Sequence, residues 1–121
     1  MKKTNTEFLL NQIVESIQDK KGKKVVVADL TSIEDTITNY FIICEGYSPN
    51  QVSSIANNVK EEVKENAGEA PLVVDGLRNA EWVAMDYADV IVHIFQPEAR
   101  NFYNLETLWA DAQLKSIPDI D

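Results

Sequence analysis

Apolar residues recur at two different spacings along this chain, and each change of spacing marks an element. Leu10, Ile13, Val14 and Ile17 share one side of a 3.6-residue turn, which predicts an amphipathic helix. Thr4 and Glu7 have the spacing of a capping box ahead of it, and Lys20, Lys21 and Gly22 suit its C-terminal end. Residues 25–30 are apolar but for Asp29, which predicts a short strand buried on both faces. A polar, irregular stretch follows over 31–39, and then a second buried strand over 40–44, ended by Gly46. Ser48-Pro49-Asn50-Gln51 opens a second helix, with serine as cap, proline at the first helical position and Gln51 able to return a bond. Its buried stripe is Val52, Ile55, Ala56, Val59 and Val63; its wet side carries Lys60, Glu61, Glu62, Lys64 and Glu65, and Gly68 lies near its end. Residues 71–75 predict a third strand. Pro97 and Glu98 open a last helix, with Phe102, Leu105 and Trp109 on one stripe. The pattern fades after Ala110. The tail beyond about residue 112, with Pro118 and the closing Asp119-Ile120-Asp121, is expected to fray.

Between these lies a hairpin over residues 82–95, where alternation yields geometry. With Ala88-Asp89 as a two-residue turn, Tyr87 faces Val90, Asp86 faces Ile91, Ala84 faces His93 and Trp82 faces Phe95. Val83, Met85, Tyr87, Val90, Val92 and Ile94 then share one side, which is core. Trp82, Ala84, Asp86, Ile91, His93 and Phe95 share the other. Ala-Asp is not a favoured pair for a primed turn, so a longer loop stays open. A slip of one residue would exchange the faces.

Length and charge narrow the function. A chain of 121 residues fits one domain over 1–121 with one core, built from about five strands and flanking helices. No apolar run approaches the ~20 residues of a membrane span, no secretory leader is visible, and the single Cys44 fits a reducing compartment, so the cytoplasm is the expected location. Net charge is −9 and uneven. Residues 1–68 carry ten acids against eight lysines, whereas residues 69–121 carry ten acids against Arg78, Arg100 and Lys115. Phosphate neutralisation needs clustered Lys and Arg, so the second half argues against direct nucleic-acid binding and for a basic protein partner. Acidity that serves solubility alone is the plainer reading.

Catalytic patterns are sparse. No Walker loop, dinucleotide glycine fingerprint or Cys/His metal spacing occurs, and one histidine cannot build a two-histidine metal site. Neither metal nor cofactor is expected. A Cys44–His93 dyad is conceivable, but a core cysteine and a satisfied sheet histidine explain these residues more simply. Gly46-Tyr47-Ser48 lies between a strand and a helix start, where backbone amides can hold phosphate. The pair of metal-binding aspartates that nucleotidyl transfer needs is missing after it, and helix capping accounts for Ser48. Trp82 is the leading functional candidate. It shares its strand face with Asp86 and His93 rather than with Val83 and Met85, as a binding hot spot does. Glu81, Asp86 and Asp89 are expected to cluster around it and to receive lysine and arginine from a partner. Core packing for the indole and solvation for the acids are the bland alternatives.

These residues resemble the ribosomal silencing factor family, also called the Iojap or RsfS family, over nearly the whole chain, about residues 10–109. The resemblance rests on Asp29-Leu30-Thr31-Ser32 through Asp35, on Ile43-Cys44-Glu45-Gly46, on the helix start after Ser48, and most specifically on residues 76–95 and 102–109. Ala88 stands where the family usually has glycine before the aspartate of the hairpin turn. The resemblance implies an α/β fold with a mixed sheet, similar to nucleotidyltransferases without their catalytic aspartates. It implies a non-enzymatic translational repressor that binds the large ribosomal subunit through ribosomal protein uL-fourteen. Bound there, such a repressor blocks association with the small subunit under nutrient limitation. Partner-binding residues would be Glu81, Trp82, Asp86, Asp89 and His93. Whether the chain forms a homodimer is left open. The alternative is a nucleotide-handling enzyme on the same scaffold.

Overall fold

The computed structural model describes residues 5–108 and 112–120. Chain order is α1 (Thr6–Asp19), β1 (Lys23–Asp29), β2 (Tyr40–Glu45), α2 (Pro49–Ala67), β3 (Val73–Asp75), β4 (Trp82–Asp86), β5 (Val90–Phe95), α3 (Pro97–Tyr103), α4 (Leu105–Leu108) and β6 (Gln113–Ile117).

The helix starts follow from side chains that satisfy otherwise unpaired N–H groups. Ser48 caps α2 by accepting from the Gln51 N–H at 3.0 Å, and Gln51 Oε1 accepts from the Tyr47 N–H at 2.7 Å. Gly68 ends that helix in the left-handed region at φ 68°. At α1 the cap is Asn5, whose Oδ1 accepts from the N–H groups of Glu7 at 2.8 Å and Phe8 at 3.4 Å. This replaces the expected Thr4–Glu7 box, and Thr4 itself lies outside the described residues.

The six strands form one mixed sheet in the order β3-β4-β5-β2-β1-β6. Among the described strands only β2 and β5 run parallel, with Tyr40 beside Val90 and Glu45 beside Phe95. A parallel pair needs a long crossover. Here α2, β3 and β4 supply it.

Helices α1 and α2 cover one face of the sheet. Leu9, Ile13 and Ile17 of α1 and the expected stripe of α2 pack on Val25, Ile42, Cys44, Val83, Met85, Val92 and Ile94, all buried. The opposite face holds a second, smaller cluster of Ala28, Leu30, Phe41, Ile43, Ile91, Phe95 and Leu105. Partly buried Ile33, Trp82, Ala84, Ala99 and Ala112 pack against it.

Three expectations need correction. Strand β1 is not buried throughout, since Val26 and Val27 stay half-exposed. The tail beyond residue 112 is not all frayed, because Gln113–Ile117 pairs antiparallel with β1, from Val25 opposite Ile117 to Asp29 opposite Gln113. Its side chains are mostly exposed, so β6 is held by backbone pairing and end contacts such as Lys24 N–H to Asp119 Oδ1 at 2.8 Å. The last helix is two short ones. Asn104, at φ 47°, breaks it, leaving Phe102 81% exposed while Leu105 is buried. Trp109 lies outside the described residues.

Candidate functional site

The hairpin adopts the expected register. Trp82 lies opposite Phe95, Ala84 opposite His93 and Asp86 opposite Ile91. Tyr87 N–H donates to the Val90 carbonyl at 2.8 Å, closing a two-residue turn. Ala88 takes φ 72°, the left-handed region that a primed turn demands and that glycine fills more easily. The Asp86 carboxylate eases this by accepting from the Ala88 N–H at 2.7 Å.

Asp89 serves the fold as well. Its carbonyl accepts from the N–H groups of Asn39 and Tyr40 at 3.2 and 3.1 Å, and Thr38 Oγ1 donates to the Ala88 carbonyl at 3.0 Å. The loop ahead of β2 is thereby pinned to the hairpin turn. Both aspartates are only half-exposed.

The acids do not cluster. Trp82 and Asp86 stand at opposite ends of one extended strand, about 13 Å apart at ~3.3 Å per residue. Glu81 is exposed beside Trp82, whereas Asp86 and Asp89 are at the turn end.

What gathers around Trp82 is aromatic. Its ring stacks on Phe95 at 5.1 Å and 24°, and meets Tyr103 of α3 at 4.6 Å. Tyr103 meets Phe102 edge-on at 5.1 Å and 88°. The indole Nε1–H donates to His93 Nδ1 at 3.0 Å. A cleft of about 330 Å³ beside this cluster is lined by Glu81, Gln96, Glu98, Ala99, Phe102 and Tyr103, with no basic side chain among them.

Backbone contacts fix the cluster. Gln96 N–H donates to the Glu81 carbonyl at 2.8 Å, and Gln96 Nε2 to the Ala80 carbonyl at 2.9 Å, so the start of α3 is tied to the start of β4. Gly76, at φ 92°, passes so close that a Cβ there would sit 2.0 Å from the Trp82 carbonyl oxygen. Only glycine admits that approach.

Arg100 anchors the other side of α3. It is buried, donates to the Lys24 carbonyl at 2.7 Å, and pairs with Glu45 at 3.4 Å and Glu106 at 3.0 Å. One guanidinium therefore joins α3 and α4 to the ends of β1 and β2. Its planar fork meets the geometry of several oxygens at once.

His93 is not on the surface. It is 6% exposed, and burial pulls its imidazole down from the ordinary 6.5 to about 4. The neutral ring accepts at Nδ1, which puts the proton on Nε2. Cys44 is fully buried, and burial pushes its thiol up to about 12. A Cys44–His93 dyad is ruled out by the sheet itself. Cys44 packs under the helices, while His93 pairs with Ile43 on the opposite face. Among the described residues no group of three His, Cys, Asp or Glu could hold a metal ion, and no helix is long and apolar enough to cross a membrane.

Phe102, Tyr103 and Glu98 were not singled out as site residues from sequence. The available signal was Asn104, a residue that tolerates left-handed backbone and so can end a helix just after an aromatic pair.

Sheet, helices and surface cluster together define a small mixed α/β domain with an aromatic, acid-edged surface at one end of its hairpin. The family described as "Ribosomal silencing factor during starvation" matches over residues 2–121. The ribosomal silencing factor RsfS of Bacillus subtilis is 35% identical over 113 residues, covering 93% of this chain and 94% of that protein. That of Halalkalibacterium halodurans is 39% identical over 108 residues, covering 89% and 91%. A crystal structure of a protein from Chromobacterium violaceum superposes with a TM-score of 0.83 at 31% identity, covering 88% of this chain and 87% of that one. The chain belongs to the ribosomal silencing factor family.

Proposed function

We propose that this protein is a cytoplasmic translational repressor that binds the large ribosomal subunit through ribosomal protein uL-fourteen and sterically blocks association with the small subunit. Membership of a family named for ribosomal silencing in starvation supports ribosome-associated regulation of translation. The contact surface rests on one observation. Trp82 is half-buried at the end of a sheet and continues outward into Tyr103 and a largely exposed Phe102. Exposed aromatics on a rigid frame are the usual anchors of a protein interface. Glu81 and Glu98 flank them, so a basic protein surface is complementary and a phosphate backbone is not. Asp86 and Asp89 join the contact as its distant rim, and His93 contributes from beneath.

Repression of this kind needs occupancy and no turnover. It should be equimolar with large subunits and indifferent to added nucleotide or metal. The test incubates excess large subunits with a trace of this protein, removes it, and adds small subunits. Normal joining is expected. Lasting failure of most subunits to join would reveal a catalytic modification and sink the steric reading.

A further inference from the structure

The polar atom of the Trp82 indole meets a buried residue beneath it. Indole has one polar atom, the Nε1–H donor. Here it donates to His93 Nδ1 at 3.0 Å. The two side chains are diagonal neighbours on one face of the β4–β5 pair, since Trp82 lies opposite Phe95 and Ala84 opposite His93. Stacking on Phe95 sets the plane of the indole but tolerates rotation within that plane. A directional hydrogen bond removes this freedom.

Packing does not explain a histidine at this position. The ring lies among Phe41, whose ring it meets edge-on at 4.8 Å, and Phe95. Among the described residues Nε2 has no hydrogen-bond partner. A buried donor left unpaired costs stability, and an apolar side chain would avoid that cost. What the histidine supplies, and an apolar side chain would not, is an acceptor at the Nδ1 position under a tryptophan.

We infer that His93 is a positioning residue that never touches the partner: its Nδ1 holds the Trp82 indole in a single preformed orientation for docking on the ribosomal surface. The inference rests on the proposed Trp82 contact. An anchor already ordered in the free protein loses less entropy on binding. The chemistry needs an acceptor two bonds from Cβ. Asparagine Oδ1 lies there, leucine has none, and glutamine Oε1 lies one bond too far.

The experiment measures affinity for isolated large ribosomal subunits and the ¹H–¹⁵N resonance of the Trp82 indole in the free protein, assigned by its loss in Trp82→Ala. His93→Leu should weaken binding about tenfold and move the indole resonance upfield, as a lost hydrogen bond does. His93→Asn should restore both toward wild type, which a merely space-filling role would not predict. Should His93→Leu fail to fold, His93→Gln against His93→Asn makes the same comparison, with weak binding expected for glutamine only. Equal affinity of wild type and His93→Leu, or of the Gln and Asn variants, overturns the positioning role while an impaired Trp82→Ala leaves the contact standing. Wild-type affinity of Trp82→Ala overturns the contact itself and this inference with it.

Discussion

The two faces of the sheet are built from the same strands to different ends. Under α1 and α2 every side chain from β4 and β5 is aliphatic or nearly so, and two long amphipathic helices seal it. Under α3 the same strands present Trp82, His93 and Phe95, covered by a seven-residue helix and an ion-paired arginine. On the first face the β4 and β5 side chains are fully buried. The second buries Phe95 and His93 but runs out of cover at Trp82, and Tyr103 and Phe102 continue the aromatic surface into solvent. A cover that is too small is what leaves the edge of a core open to solvent.

The contrast can be broken from the sealed side first. Ile55 is fully buried between α2 and the sheet, so Ile55→Ala should cost about 4 kcal/mol, within the range for truncating a core aliphatic. Urea unfolding would show it, and the folded fraction should still bind large subunits normally. Arg100→Met should cost about 3 kcal/mol by leaving the buried Glu45 carboxylate unpaired. Unlike the isoleucine variant, it should also weaken binding, because Phe102 and Tyr103 ride on the helix that Arg100 anchors.

Acid probes His93. Its folded value of about 4 lies below the ordinary 6.5, so the unfolded chain takes the proton first. The stability it contributes is complete above about pH 6.5 and is lost as pH falls toward 4, a total of ~3 kcal/mol. Urea midpoints between pH 7 and 4 should fall less steeply in His93→Asn, which cannot titrate. Parallel slopes would place the acid sensitivity elsewhere.

Trp82→Ala should weaken binding by about 2 kcal/mol, with a smaller loss of stability than the roughly 3–5 kcal/mol of a fully buried aromatic. A large stability loss with normal binding by the folded fraction would return Trp82 to the core. The smallest effect is expected from charge. Glu81→Lys should slow association, with under about 1 kcal/mol in affinity, and its effect should fade with salt. Reversing Asp86 should add to an equally small rim effect a loss of stability, because its carboxylate also caps Ala88.

What the chain determined by itself was local. Ser48 and Gln51 mark a helix start within four residues, the α2 stripe repeats within turns, and alternation over residues 82–95 sets the hairpin register and its core face. Such features are decided by groups a few bonds or one turn apart, so a short window contains their cause. The rest was settled by residues far along the chain. β6 has almost no buried side chain to announce it, and exists because β1 offers an unpaired edge. His93 reads as a partner-binding residue because alternation assigns a face but not its cover, and its ring is in fact buried against Phe41, Phe95 and Trp82. The acids around Trp82 are expected to cluster because they are near in sequence, yet an extended strand carries them apart, and the true neighbour, Tyr103, arrives on another element with Phe102 against it. Periodicity says which way a side chain points; only the packing of distant segments decides what, if anything, it meets there.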